Sequence, residues 1–273
     1  MEHKYIDINN VRLAYVEKNC EAKNSIFFIH GNSGSSEMWH KQFESELANH
    51  YRIVAIDLPG HGHSSPAINP KEDYTPAAMA AILSHAVKIL SNENPFILAG
   101  FSYGSNLAAE MLSFLNPCGI VLIAACVIGK GYGMDVVFGK EKIIYLLETA
   151  SKEDVTDFLS SAIQQPDDRE IFIKAYFQTD TVFRKYLLQS VPDKKVSDEI
   201  ELLRNYHTSM LIVNGDNDKM INTSYLEETP IKLWQDKVFK LENTGHFVPT
   251  DTPDVVNQLL GSYADYAFKS NHS

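Results

Sequence analysis

The chain has 273 residues, of which 24 are Lys or Arg and 35 are Asp or Glu, giving a formal charge of −11. An acidic chain without a local basic cluster repels the phosphates of nucleic acids and of anionic lipids, so we expect neither a nucleic acid nor a membrane as a partner. Apolar residues make up 44% of the chain and charged residues 22%, which excludes a disordered protein and allows one large core.

The first residues and the cysteines indicate in which cellular compartment the protein is expected. Residues 1–5 lack the apolar segment of a signal peptide, and the longest apolar stretch, residues 120–128, is too short to cross a bilayer. Cys20, Cys118 and Cys126 have no metal-type spacing, and the last two lie in or beside apolar sequence, where buried thiols are expected. We therefore expect a protein of the reducing cytoplasm.

In chain order, short apolar runs predict strands and longer stretches predict helices. Strands are predicted at residues 4–8, 11–17, 26–29, 53–56, 96–99, 119–124, 211–214 and 237–241. Helices are predicted at residues 37–48, 76–90, 103–115 and 253–268, the second and the last after a Thr-Pro start. Because the central strands are continuous apolar runs, we expect an α/β fold with a mostly parallel sheet covered by helices.

Residues 129–207 interrupt this alternation. The segment has no convincing strand, and its helical patterns lie near residues 135–149, 153–164, 169–177 and 196–206. We interpret it as a helical cap inserted after the sixth strand of a core domain formed by residues 1–128 and 208–273. Its place, where ligand clefts of α/β sheets open, favours a lid; the alternative is a decoration that only adds stability. Aromatic candidates for lining a cleft are Trp39, Phe101, Phe158, Tyr176 and Phe177.

Residues 100–104 read Gly-Phe-Ser-Tyr-Gly and lie between a predicted strand and a predicted helix. In this context Gly-x-Ser-x-Gly is typical of a sharp turn that exposes the serine hydroxyl and requires small flanking residues. The N-terminus of the following helix favours developing negative charge beside the serine. Ser102 is therefore the candidate nucleophile, against the alternative of a glycine-flanked turn with an idle serine.

A serine nucleophile needs a base, and the base needs an orienting group. His246 follows the last predicted strand, and Asp216 and Asp218 follow the strand before it, so each lies at the sheet edge that carries Ser102. The chain order serine, acid, histidine fits a catalytic triad. We favour Asp218 as the acid, because Asp216 directly follows a glycine and can serve only to shape the turn; Glu242 is a further alternative.

These motifs resemble the α/β-hydrolase fold family over essentially the whole chain. The resemblance includes residues 30–34, His-Gly-Asn-Ser-Gly, and residues 57–64, Asp-Leu-Pro-Gly-His-Gly-His-Ser. It implies an eight-stranded, mostly parallel sheet flanked by helices, and an oxyanion hole formed by the backbone amides of Asn32 and Tyr103. The 57–64 run is a fixed loop in the family, so its histidines are expected to have no chemical role.

Two further types of site are only weakly indicated. The pair His61-x-His63 resembles part of a metal site, but no further ligand pair follows at a suitable spacing. The pattern Gly60-x-Gly62 lacks the third glycine of a dinucleotide-binding loop. We therefore expect neither a metal nor a cofactor.

The nucleophile type narrows the expected reaction. Epoxide hydrolases and haloalkane dehalogenases of this family have Asp where this chain has Ser102, so we expect acyl transfer to water and a small-molecule ester or lactone as substrate. Residues 30–33, 57–62, 213–215 and 233–234 also resemble metal-free N-acyl-homoserine lactonases, in which the acid is Glu where this chain has Asp218. The alternatives are a perhydrolase or lyase with the same triad, and a non-catalytic ligand-binding protein.

Overall fold

The computed structural model describes residues 1–138, 149–163, 166–191, 193 and 195–270. The strands are β1 (Lys4–Ile8), β2 (Val11–Lys18), β3 (Ser25–Ile29), β4 (Arg52–Ile56), β5 (Phe96–Phe101), β6 (Gly119–Ile123), β7 (Leu211–Gly215) and β8 (Phe239–Leu241). They form one sheet in the order β1-β2-β4-β3-β5-β6-β7-β8. β1–β2 and β2–β4 pair antiparallel, and every other pair is parallel, which confirms the predicted mostly parallel sheet.

Helices flank this sheet, and several lie in the described part of the segment between β6 and β7. Those in the described ranges are α1 (His40–Phe43), α2 (Leu47–His50), α3 (Pro70–Asp73), α4 (Pro76–Ser91), α5 (Tyr103–Glu110), α6 (Met134–Val137), α7 (Lys152–Ala162), α8 (Pro166–Gln178), α9 (Phe183–Ser190), α10 (Glu199–Asn205), α11 (Val248–Asp251) and α12 (Pro253–Ser270). Within those ranges, we find no helix with both the length and the apolar character needed to cross a bilayer.

Local sequence explains most of these elements. β3, β6 and β7 are buried along their whole length, as expected for apolar strands covered on both faces. α4 begins as predicted, with the Thr75 hydroxyl accepting a hydrogen bond from the amide of Ala78 and Pro76 in the first turn. Near the C-terminus, the Tyr263 hydroxyl of α12 accepts a hydrogen bond from the amide of Ile120 at 3.0 Å. This bond holds α12 against β6.

The prediction of one continuous helix at residues 37–48 is wrong. The structure has a 3-10 turn at Ser36–Trp39, then α1, and α2 only after a break. The Ser45 hydroxyl donates to the carbonyl of Gln42 at 2.7 Å and accepts the amide of Leu47 at 3.3 Å. A serine that bonds the neighbouring backbone in this way competes with the helical ladder and ends it.

Between β6 and β7 the predicted helices are largely present. α7 and α8 occupy the regions predicted at 153–164 and 169–177, and α10 lies within the region predicted at 196–206. Of the helix predicted near 135–149, the described part is the short α6, and residues 139–148 lie outside the described ranges. α9 is not predicted, although Phe183 and Leu187 have the four-residue spacing of a buried helix face.

Candidate active site

Ser102 lies at the sharp turn between β5 and α5. Its backbone has φ 51° and ψ −122°, a conformation that costs about 1–3 kcal/mol in a residue other than glycine, and its amide donates to the carbonyl of Ile123 at 2.8 Å. A Cβ at Gly100 would lie 2.1 Å from the carbonyl oxygen of Gly104, and one at Gly104 would lie 2.2 Å from that of Ile29. Both positions therefore require glycine, and the close backbone contacts that they allow form the sharp turn at Ser102.

His246 and Asp218 form a hydrogen-bonded line with Ser102. The His246 ring has Nε2 at 2.9 Å from Ser102 Oγ and Nδ1 at 2.7 Å from Asp218 Oδ2. The amides of Met220 and Ile221 donate to Asp218 Oδ1 at 2.8 and 3.2 Å, so both carboxylate oxygens are fixed. The side chains of Asp218 and His246 are 0% and 4% exposed, which shields this line from water.

Close backbone contact brings the acid loop and the histidine loop together. A Cβ at Gly215, the last residue of β7, would lie 2.2 Å from the carbonyl oxygens of Thr244 and Gly245. The alternative acids lie elsewhere: Asp216 is exposed and accepts the amide of Thr244 at 3.3 Å, and Glu242 is exposed at the end of β8. Asp216 therefore ties the two loops together, and Asp218 is the carboxylate that contacts His246.

The loop after β3 lies directly against the nucleophile. A Cβ at Gly31 would be 3.1 Å from Ser102 Cβ, a tighter contact than is usual, so glycine favours this approach, and Asn32 follows it among the residues that line the cavity. On the other side, Tyr103 is the first residue of α5, and a first-turn amide has no acceptor within its own helix. The two predicted oxyanion donors thus lie on segments that meet at Ser102.

His30 fixes the peptide between Gly31 and Asn32. The amide of Leu58 donates to His30 Nε2 at 3.0 Å, so the ring proton is on Nδ1, which donates to the carbonyl of Gly31 at 2.7 Å. Burial lowers the pKa of His30, which favours this neutral form. Because a trans peptide is planar, a hydrogen bond to the Gly31 carbonyl also sets the direction of the Asn32 amide. This role of His30 is not predicted from the sequence.

Arg184 of α9 extends this network. Its Nη1 donates to the hydroxyl of Ser33 at 2.9 Å, and that hydroxyl donates to Oδ1 of Asn32 at 2.7 Å. The guanidinium group also lies over the ring of Tyr176, 4.1 Å from its centroid. The segment between β6 and β7 therefore supports the loop beside the nucleophile through a residue that no motif marks.

A cavity opens above Ser102 and His246. Most of the residues that line this cavity are apolar. Of the aromatic candidates, Phe101 lines the cavity, whereas Trp39 is fully buried and Phe177 is half exposed. A mostly apolar cleft with a few polar groups is typical of a site for a small organic molecule.

Cys126 lines the same cavity without being a second nucleophile. Burial raises the pKa of its thiol to about 12, so the reactive thiolate is absent near neutral pH. Its Sγ donates to the side-chain oxygen of Asn106 at 3.0 Å. The cysteine therefore contributes a neutral, weakly polar wall.

The histidines of the 57–64 loop have structural contacts. His61 is buried, its Nδ1 lies 3.0 Å from the carbonyl oxygen of Pro59 and its Nε2 accepts the amide of Ser33 at 3.3 Å, so both ring nitrogens are used. His63 lies instead with His3 and Glu37, where ligand atoms come within 4.8 Å of one another.

The group of His3, Glu37 and His63 has the residue types of a metal site. However, the ammonium group of Lys174 already binds both oxygens of Glu37, at 2.9 and 3.0 Å. An ion would have to displace that lysine. None of the three residues is among the described residues that line the cavity, so the group has no part in the chemistry at Ser102.

Comparison with known proteins places this geometry in a family. The family model described as alpha/beta hydrolase fold matches residues 24–253. Monoacylglycerol lipase ABHD6 of Rattus norvegicus is 22% identical over 256 residues, which cover 87% of this chain and 74% of the lipase. The dihydrolipoyllysine-residue acetyltransferase component of the acetoin cleaving system of Cupriavidus necator is 31% identical over 131 residues, 48% of this chain, and the match spans only 33% of that relative.

Solved structures share the architecture over nearly the full chain. The N-acyl homoserine lactonase AidH, complexed with N-butanoyl homoserine, superposes with a TM-score of 0.90 at 21% identity, covering 98% of this chain and 97% of that one. The esterase RhEst1 from Rhodococcus sp. ECU1013 has a TM-score of 0.80 at 21% identity, with coverages of 97% and 99%. At these identities the likeness shows a shared fold. Since the family model matches most of the sequence, the chain belongs to the α/β-hydrolase fold family.

Proposed function

We propose that this protein hydrolyses small carboxylic esters or lactones through an acyl-enzyme formed on Ser102, with N-acyl-homoserine lactones as one candidate substrate class. The observation that carries the proposal is the continuous line from Ser102 Oγ through His246 to Asp218, at 2.9 and 2.7 Å, beneath an apolar cavity. Residues 129–207 form the cap of this site, on a core of residues 1–128 and 208–273.

The geometry defines the proton path. His246 Nε2 takes the proton of Ser102 as Oγ bonds to the acyl carbon, while Asp218 holds Nδ1–H and stabilises the imidazolium. The amides of Asn32 and Tyr103 donate to the oxyanion, and losing one such donor costs about 10²–10³ in rate. The imidazolium then protonates the leaving alkoxide as its bond to the acyl carbon breaks. A water molecule repeats the sequence and releases the acid and Ser102.

Two observations favour this proposal over its alternatives. A ligand-binding protein has no need for a serine held in a strained conformation and hydrogen-bonded to a buried histidine–carboxylate pair. The named relatives also support ester chemistry, since they include a monoacylglycerol lipase, an esterase and a lactonase. The lactonase candidate has narrower support, namely the AidH superposition over 98% of this chain.

Labelling with a fluorophosphonate probe tests the nucleophile. We expect the wild-type protein to be labelled, the Ser102→Ala and His246→Ala variants to lose labelling, and a Ser113→Ala variant with an exposed hydroxyl removed to keep it. Labelling that survives in Ser102→Ala contradicts the proposal. A panel of aryl esters and homoserine lactones then defines the substrate: turnover of aryl esters without lactone opening removes the lactone candidate, and peracid formation from an ester and peroxide identifies a perhydrolase instead.

A further inference from the structure

The inner part of the cavity contains a carboxyl group that the acyl-transfer chemistry does not use. Glu199, the first residue of α10, is 1% exposed and is one of the cavity's lining residues. Its Oε2 accepts two hydrogen bonds, from the side-chain amide of Asn106 and from the backbone amide of Ile128, each at 2.7 Å. Its Oε1 is buried and has no hydrogen-bond partner among the described residues.

The surroundings of Glu199 favour its neutral form. Burial raises the pKa of this carboxyl well above its usual range, and the nearby carboxyl groups of Glu110 and Asp198 raise it further, against the opposing effect of the two donors. Because both donors lie on Oε2, the proton of the neutral acid belongs on Oε1. The result is a buried O–H group without an acceptor, which costs about 1–3 kcal/mol and calls for a partner.

The Glu199 carboxyl group faces the same cavity as the nucleophile Ser102. Ser102 is the non-helical residue that precedes α5, and Asn106 is the fourth residue of that helix. Both residues line the cavity, and Glu199 is bonded directly to Asn106. An acyl chain attached to Ser102 that extends into this cavity therefore occupies the space that Glu199 helps to line.

We propose that Glu199 is the polar subsite of the acyl pocket and that its Oε1–H donates a hydrogen bond to a second oxygen of the substrate. The substrate class is then an acyl group with a second carbonyl oxygen along its chain, such as an oxoacyl chain, in preference to a plain fatty acyl chain. The inference rests on the proposed function, because it assumes that the acyl group occupies this cavity. It adds a residue of the cap that determines specificity.

Matched substrates and two variants test the subsite. The substrates are aryl hexanoates, either unsubstituted or with a keto oxygen at each chain position in turn. We expect the wild-type enzyme to prefer at least one keto ester by about tenfold in kcat/KM, as one well-placed hydrogen bond allows. Glu199→Met, which has no donor, should lose this preference, whereas Glu199→Gln should retain most of it because its amide N–H replaces the O–H. A wild-type enzyme without the preference, or a preference that persists in Glu199→Met, overturns the inference.

Glu110→Gln is the matched control. Glu110 is a second buried carboxyl group near α10, but Ser197 satisfies both of its oxygens, at 2.7 and 2.6 Å, and it is not among the described lining residues. Glu110→Gln removes one of the charges that raise the pKa of Glu199 but leaves its burial, the largest cause, so most of the keto preference should remain. A loss as complete as in Glu199→Met would overturn the inference.

A binding measurement separates this inference from the proposed function. Calorimetric titration of Ser102→Ala with hexanamide and with its keto derivatives reports the subsite without any turnover. A keto preference in binding supports Glu199 even if no ester is hydrolysed. Hydrolysis of hexanoate with no keto preference in either assay overturns the subsite and leaves the esterase proposal intact.

Discussion

The two walls of the cavity are built in different ways. On the sheet side, backbone geometry sets the positions: Ser102 has a positive φ, and glycines at positions 100, 104 and 215 allow approaches that a Cβ would block. On the cap side, side chains attach the helices to the core. Asp180 accepts the hydroxyl of Tyr74 at 2.6 Å, and Asp168 binds Lys41 at 2.6 Å.

Because of this difference, we expect the sheet wall to determine the chemical step and the cap wall to determine which substrate is used. A wall held by backbone contacts keeps the atoms of the triad in place and tolerates almost no substitution. A wall built from apolar side chains on helices can change its shape one residue at a time while the reacting groups stay fixed. We therefore expect variants of the sheet wall to abolish activity or folding, and variants of the cap wall to change which substrate is used.

Replacing the carboxylate of Asp218 should have the largest effect. Asp218→Asn loses the charge that holds the His246 tautomer, and we expect kcat to fall by about 10⁴ without loss of the folded state. The control is Asp216→Asn, because Asp216 is exposed and accepts the amide of Thr244 rather than contacting His246. Steady-state kinetics on an aryl ester measure both, and a larger loss in Asp216→Asn would reverse the assignment of the acid.

A methyl group at Gly104 should destabilise the sheet wall strongly. The new Cβ would lie 2.2 Å from the carbonyl oxygen of Ile29, so backbone must move, and we expect Gly104→Ala to lower the free energy of unfolding by about 3 kcal/mol or more. In Gly261→Ala, the Cβ on α12 would meet Leu47 at 3.5 Å, an ordinary contact, and the variant should gain up to about 1 kcal/mol. Urea denaturation measures the free energy of unfolding of both variants. Equal values would contradict the claim that backbone contacts leave no room for a side chain at position 104.

Shortening an apolar residue of the cap wall should change selectivity rather than chemistry. Leu188 of α9 lines the cavity, and we expect Leu188→Ala to lower kcat/KM by about tenfold on longer acyl chains and to have little effect on acetyl esters. Val182 is equally exposed, at 36%, but is not among the described lining residues, so Val182→Ala serves as the control. A uniform loss on all chain lengths would argue against a role in chain selection.

The buried His61 should make stability depend on pH. Burial holds the pKa of its ring well below the ordinary value of about 6.5, so below that pH the unfolded chain binds a proton that the native protein does not. Stability should therefore fall on acidification, by up to about 1.4 kcal/mol per pH unit for this residue. We expect the slope of unfolding free energy against pH to be smaller in His61→Gln, and an identical slope would show that His61 does not contribute.

The smallest expected effect is at an exposed ion pair between cap and core. Lys174 and Glu37 are joined at 2.9 Å, but the lysine side chain is 49% exposed and the pair is screened by water. Lys174→Ala should therefore change the free energy of unfolding by less than about 1 kcal/mol, as measured by thermal or urea denaturation in dilute salt. A larger loss would mean that the cap depends on surface charge more than on apolar packing.

The sheet and its turns could be predicted from local sequence because their requirements are local. A run such as Ile-Val-Leu-Ile in β6 has few alternatives to a buried parallel strand, and Gly100 and Gly104 are required by the turn they flank. The break in the helix at 37–48 was missed because it depends on where the Ser45 hydroxyl bonds, and α9 was missed although its apolar spacing was available.

The amino-acid sequence by itself determined the order of the strands along the chain, the sharp turn at Ser102, and the candidates for the base and the acid that activate this serine. The tertiary structure alone decided that Arg184 and Glu199 lie at the site, and it shows as a direct contact with His246 the acid, Asp218, that the sequence only favoured over Asp216. Arg184 bonds a serine 151 positions away, and Glu199 bonds Asn106 across 93 positions. Such contacts leave no periodicity or spacing in the chain, because they depend on how separate helices pack rather than on how any one segment folds.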